Sequence, residues 1–102
     1  MKSIIQEQDE CWICRMVYGV VTPASDTHHC LHGSMRENAD ADGLTVRLCR
    51  YHHERLHDKG EFDKSLQILA QKAYIRKLVS EGLEEYEAKE QFRQRYGKFF
   101  EI

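Results

Sequence analysis

Every cysteine and histidine of this chain lies between positions 11 and 57. There are four Cys and six His. These are the side chains that bind transition metals, and their spacing constrains the fold more than any hydrophobic pattern does. Cys11-Trp12-Ile13-Cys14 has the two-residue gap that lets neighbouring thiolates turn onto one tetrahedral ion. Cys49-Arg50-Tyr51-His52 repeats the gap with an imidazole in the last place. The two knuckles together predict a structural Zn2+ site of Cys11, Cys14, Cys49 and His52. Cys30, beside a His pair and outside any knuckle, is the competing fourth ligand. Two other readings stand beside zinc: a redox pair at Cys11 and Cys14, and buried thiols with no ligand role. A redox pair usually carries Gly-Pro between its thiols, where this chain has Trp12-Ile13. A disulfide framework needs an oxidising compartment. Nothing here points to export, because the opening residues are charged too early for a secretory signal. No apolar run approaches the roughly 20 residues that span a bilayer. The expected location is the cytoplasm, with no membrane partner.

The histidines form two groups. His28-His29 follows Ser25-Asp26-Thr27, and His52-His53-Glu54-Arg55-Leu56-His57 follows the strand-like Leu44–Cys49. If a helix opens at about residue 51, His53 and His57 stand one turn apart on one face and can share an ion. His52 is rotated from His53 by about 100° on the same helix and points instead toward the cysteine knuckle. Adjacent residues of an extended strand face opposite ways, so His28 and His29 cannot do the same job. A solvated helix start with incidental histidines is the plainer reading of His53 and His57 alone; two His clusters flanking one hairpin make it less economical. His32 has no assigned role: a loop histidine, or an extra metal or phosphate contact.

Taken in order, the CWIC knuckle, His28-His29, Gly43-Leu44-Thr45-Val46-Arg47-Leu48-Cys49 and the His52-His53…His57 helix resemble the HNH endonucleases, the ββα-metal or His-Me finger fold. A narrower resemblance is to small HNH proteins of phages and prophages, which often end in segments similar to Gln71-Lys72-Ala73-Tyr74 and Tyr96-Gly97-Lys98-Phe99-Phe100. The likeness implies a metal-dependent hydrolase of DNA phosphodiester bonds. In it His29 would be the general base, while His28, His53 and His57 would hold one catalytic divalent cation such as Mg2+, Mn2+, Ni2+ or Zn2+. The chemistry is coherent: the reaction needs a nucleophile made from water and a cation to neutralise charge on the phosphate. Neutral imidazole accepts a proton at cellular pH. The pattern departs from the family at its middle Asn, where this chain has Gly43-Leu44. Either Asn38, Asp40 or Asp42 orients the base instead, or the role is lost. His52 also stands where many relatives carry a fourth Cys.

The expected architecture is α+β. A zinc-stapled ββα-metal module over residues 11–58 precedes a helical extension over 59–102, within a single domain. Residues 1–10 read as a polar lead-in, 17–21 as strand formers, and 33–42 as a polar loop. A helix is expected from Asp63, its cap, to about Ser80. A second carries Ala88, Phe92 and Tyr96 in one row before Gly97. Charge supports nucleic-acid binding least. Residues 1–59 hold seven basic and nine acidic side chains, and 60–102 hold eight of each. Phosphate contact must then be local, with Arg36, Arg47, Arg50 and Arg55 the candidates nearest the histidines. A weakly binding nuclease of this kind would suit recruitment by another protein, or a homodimer. The rival readings are a non-catalytic zinc module for nucleic acid or protein partners on the same scaffold, and more remotely a small-molecule hydrolase.

Overall fold

The computed structural model of the chain describes residues 2–101. Its elements run α1 (Trp12–Tyr18), β1 (Asp26–His29), α2 (Arg36–Asp42), β2 (Thr45–Leu48), α3 (Arg50–Lys59), α4 (Asp63–Ser80) and α5 (Glu85–Tyr96), with a 3-10 turn at Gly33–Met35 leading into α2. The fold is α+β: the described residues form five α-helices and a two-stranded antiparallel sheet.

The strand-forming stretch 17–21 is not a strand: Val17 and Tyr18 end helix α1, and residues 19–21 are irregular. The Cys11 sulfur caps α1 by accepting the Cys14 N–H at 3.4 Å, and Gly19, left-handed at φ 70°, closes it after two turns. Caps at both ends outweigh the modest strand preference of Val17 and Tyr18. The Cys11 N–H then reaches Thr22 O at 2.8 Å, so residues 11–22 form a closed finger.

Strands β1 and β2 pair with His28 opposite Val46 and His29 opposite Thr45. The connection between them, expected as a loop, is mostly helix α2. It buries only Ala39, so its inward face is a single small residue and leaves no periodic trace in the sequence. Gly43 ends α2 at φ 73°, and a Cβ there would meet Lys2 O at 2.4 Å. That close approach exists because residues 2–10 are docked rather than a loose lead-in. Ile4 N–H donates to Gly43 O at 2.9 Å, and Ser3 Oγ donates to Thr45 O. The Gln6 side chain accepts from Arg47 N–H at 2.7 Å.

The core runs continuously from Ile13 through Leu31, Leu44, Val46, Leu48 and Leu56 to Leu66, Ala70, Phe92 and Phe100. Helix α5 folds back along α4, placing Phe92 and Tyr96 against Tyr74 at ring distances of 5.5 and 5.9 Å. Buried Gln71 holds the C-terminal segment by two reciprocal bonds: its amide donates to Phe100 O at 2.8 Å and accepts from Phe100 N–H at 2.7 Å. A second tie joins α5 to α2, where Asp42 accepts from Arg95 and from the Tyr96 hydroxyl. The start of α4 differs from expectation. Phe62, left-handed at φ 65°, holds the cap position, and Asp63 is the first helical residue with its carboxylate turned elsewhere.

Candidate metal centre

The first cluster forms where three element ends meet. Cys11 and Cys14 come from the α1 finger, and Cys49 caps α3. His52 lies in the first turn of α3 and is buried. His52 Nδ1 lies 3.6 Å from Cys11 Sγ, 3.4 Å from Cys14 Sγ and 3.4 Å from Cys49 Sγ, and the last two sulfurs are 3.9 Å apart. Tetrahedral zinc, with bonds of ~2.3 Å to sulfur and ~2.0 Å to nitrogen, separates its ligands by ~3.8 Å (S to S) and ~3.6 Å (S to N). The donor set and spacing therefore suit that ion. Burial lowers the His52 pKa, which favours the neutral imidazole that a ligand must be. The Tyr18 ring stacks on His52 at 5.6 Å. Burial opposes ionisation of Cys11, but hydrogen bonds from Cys14 and Cys49 bring its pKa below the ordinary thiol value. Cys30 stands apart: it is fully buried in the apolar core, its thiol pushed up to about 12 by desolvation. All four cysteines are free of disulfides.

The second cluster lines a small cleft of about 170 Å³ bordered by Thr27, His28, His29, Arg36, His53 and His57, among others. His53 and His57 lie one turn apart on α3, with their Nε2 atoms 3.1 Å apart. One cation bonded to both at ~2.0–2.1 Å would set them ~2.9–3.4 Å apart. Buried His28 joins them from β1, its donor atom within 4.8 Å of theirs. His28 Nε2 is shut off from solvent and has no hydrogen-bond partner among the described residues. A buried polar atom without a partner is costly, and a cation would satisfy it. Burial, reinforced by repulsion from the neighbouring histidines, pushes the His28 pKa down to about 4. The ring is thus neutral at cellular pH and able to donate a lone pair.

Comparison of the chain with protein-family models, curated proteins and solved structures finds no match.

His29 borders the same cleft as His28, and its Nε2 lies 2.9 Å from Asp40 Oδ1. Of the three residues considered for orienting it, Asp40 makes that contact. Asp42 is engaged by Arg95 and Tyr96, and Asn38 donates to Arg95 O. The Asp40 pKa is lowered, first by its hydrogen bond with His29.

Asp26 was not anticipated. Its Oδ2 lies 3.2 Å from His53 Nδ1, which holds the proton on that nitrogen and leaves Nε2 free to face the cleft. Strand periodicity carried the signal, since Asp26 lies two residues before His28 and so on its face.

The four arginines have different surroundings. Arg36 borders the cleft. Arg47 reaches Asp9 and Thr27, Arg50 pairs with Glu54, and Arg55 makes a two-pronged bond to Glu61. Among the described residues no helix is long and apolar enough to cross a membrane.

Proposed function

We propose that this chain is a metal-dependent endonuclease of the HNH type, hydrolysing DNA phosphodiester bonds at the cleft between β1 and α3, with a structural zinc on Cys11, Cys14, Cys49 and His52. The observation that supports it most is the convergence on one cleft of two different functions of imidazole. One ring nitrogen each of His28, His53 and His57 lies within 4.8 Å of the others, and the buried Nε2 of His28 has no partner among the described residues. Beside them on the same cleft, His29 is held by the Asp40 carboxylate.

With the Nε2 proton of His29 donated to Asp40, the lone pair sits on Nδ1, the nitrogen that would take a proton from water. Asp40 then stabilises the imidazolium that forms, the role an orienting residue plays for a general base. His28, His53 and His57 would hold a divalent cation, and that ion would neutralise charge on the scissile phosphate and the leaving oxygen. Asp26 fixes the tautomer of His53. Arg36, which borders the cleft, would meet a phosphate oxygen at its rim. A phage or prophage source remains part of this reading through the resemblance alone.

Plasmid nicking with added magnesium, manganese or nickel is the test. The parent protein nicks and His29→Ala does not. Equal background in both, with zinc retained, would sink the enzyme reading. It would leave the second one, a non-catalytic zinc module for a nucleic acid or protein partner. The arginine pairing favours that alternative, since Arg47, Arg50 and Arg55 each face a carboxylate that offsets their charge.

A further inference from the structure

His28 belongs to two donor sets. Besides His53 and His57, it lies with His32 and Asp63, all three ligand atoms within 4.8 Å of one another. His32 follows β1, and its ring packs edge-on to His28 at 6.0 Å. Asp63 Oδ1 lies 2.7 Å from His32 Nε2, across 31 residues of chain. The sequence places Asp63 where a helix cap belongs, yet it makes no cap. Phe62 instead takes a left-handed conformation that an L-residue adopts at a cost, and the Asp63 carboxylate is turned onto His32. Its other oxygen accepts from Gln67 at 3.1 Å, which fixes the carboxylate plane. The Asp63 carboxylate is thus fixed beside His32 and within 4.8 Å of the His28 donor atom.

We infer that His28, His32 and Asp63 form a second seat for a divalent cation, beside the seat on His53 and His57 and sharing His28 with it. Two imidazoles and one carboxylate are a recognised donor set for such ions and are harder than three imidazoles. A proton shift from Nε2 to Nδ1 of His32 frees the donor atom, and Asp63 already faces it. If both seats use the unpartnered Nε2 of His28, it holds one cation at a time, the seats are alternatives and the cleft takes a single ion. The second seat rests on the reading of the cleft as a cation site, but it needs no nuclease activity to be seen.

The test is cobalt binding to the full chain with its structural zinc in place, followed by calorimetry and by visible absorption of the bound ion. The parent takes one cobalt per chain beyond the zinc. His53→Ala/His57→Ala still takes one, with affinity lower by on the order of tenfold to a hundredfold and an altered spectrum. Adding His32→Ala or Asp63→Asn to that variant abolishes binding; both positions are partly exposed, and retained zinc reports that the chain is folded. If His53→Ala/His57→Ala binds no cobalt while the parent does, the second seat is overturned and the first survives. Two cobalt ions in the parent would overturn the shared His28. No cobalt in the folded parent would overturn both seats together with the cation in the proposed function.

Discussion

Asp40 Oδ1 stands 2.9 Å from Nε2 of His29, although the two residues are on different elements and 11 positions apart. The contact exists because α2 fills the connection between the strands and returns over the exposed end of β1. The pair is largely a local matter for the chain, since the Asp40 side chain is 63% exposed. Asp40→Ala should therefore leave the melting temperature nearly unchanged. It should lower metal-dependent nicking by on the order of tenfold to a hundredfold, part of the roughly 10²–10⁴ a general base contributes. Asp40→Asn should recover some of the loss, because an amide oxygen still accepts the His29 proton. Unchanged nicking in Asp40→Ala would remove Asp40 from the mechanism.

Cys11 and Cys30 are equally buried, yet only Cys11 lies in the four-donor cluster. Cys11→Ser should lose the zinc and with it several kcal/mol of stability, because binding energy at such a site is folding energy. Cys30→Ser should keep full zinc content and cost about 1–3 kcal/mol, the penalty of a hydroxyl placed in an apolar core. Metal analysis after dialysis, with thermal melting, separates the two. Zinc retained by Cys11→Ser would show that the knuckle is assigned wrongly.

Asp26→Asn tests the carboxylate behind His53. Cation affinity of the cleft should fall by about 10–100-fold, with zinc content unaffected. Cobalt or manganese titration measures it, and equal affinity in parent and variant would leave Asp26 without a role at the metal.

The pH dependence follows from His28. Its folded pKa, about 4, lies below the ordinary value of 6.5, so between those values the unfolded chain binds more protons than the folded one. Stability then rises with pH across that window. It is fully present above about 6.5, declines as pH falls toward 4, and flattens below. His28→Gln, which cannot take the proton, should flatten the slope of melting temperature against pH in that range; zinc-ligand protonation affects both proteins alike. An unaltered slope in the variant would contradict the assignment.

Gly43→Ala should cost about 1–2 kcal/mol for the left-handed backbone alone. The Cβ contact with Lys2 O adds to this by displacing the N-terminal segment. Limited proteolysis should then cut within residues 2–10 of the variant before the rest of the chain. Equal resistance in both proteins would mean that the segment is not held there.

The sequence showed some of this and hid the rest for definable reasons. The knuckle spacings and the His53/His57 turn were readable because metal ligands are rare residue types at fixed offsets. Helices α4 and α5 were readable from their apolar rows and from Gly97. Helix α1 was not, because its stability comes from a sulfur cap at Cys11 and a glycine at its end rather than from residue preference. Helix α2 was not, because one buried alanine makes no periodic pattern. Which of Asn38, Asp40 and Asp42 meets His29 depends on Arg95 and Tyr96, which claim Asp42 from more than 50 residues downstream. Asp63 was assigned to a cap by the strongest local rule, and a contact with His32 overrides that rule.

His52 and His53 are consecutive residues in the first turn of α3, one serving the thiolate cluster and the other the cleft. With ions bound at both as proposed, the two centres would share a hinge pin, and their chemistry would have an order. Chelation that strips the thiolate cluster should free the first turn of α3 and move His53 and His57 with it, whereas emptying the cleft should leave the cluster intact. Magnesium added to a fully chelated sample would restore nothing until zinc had been returned first.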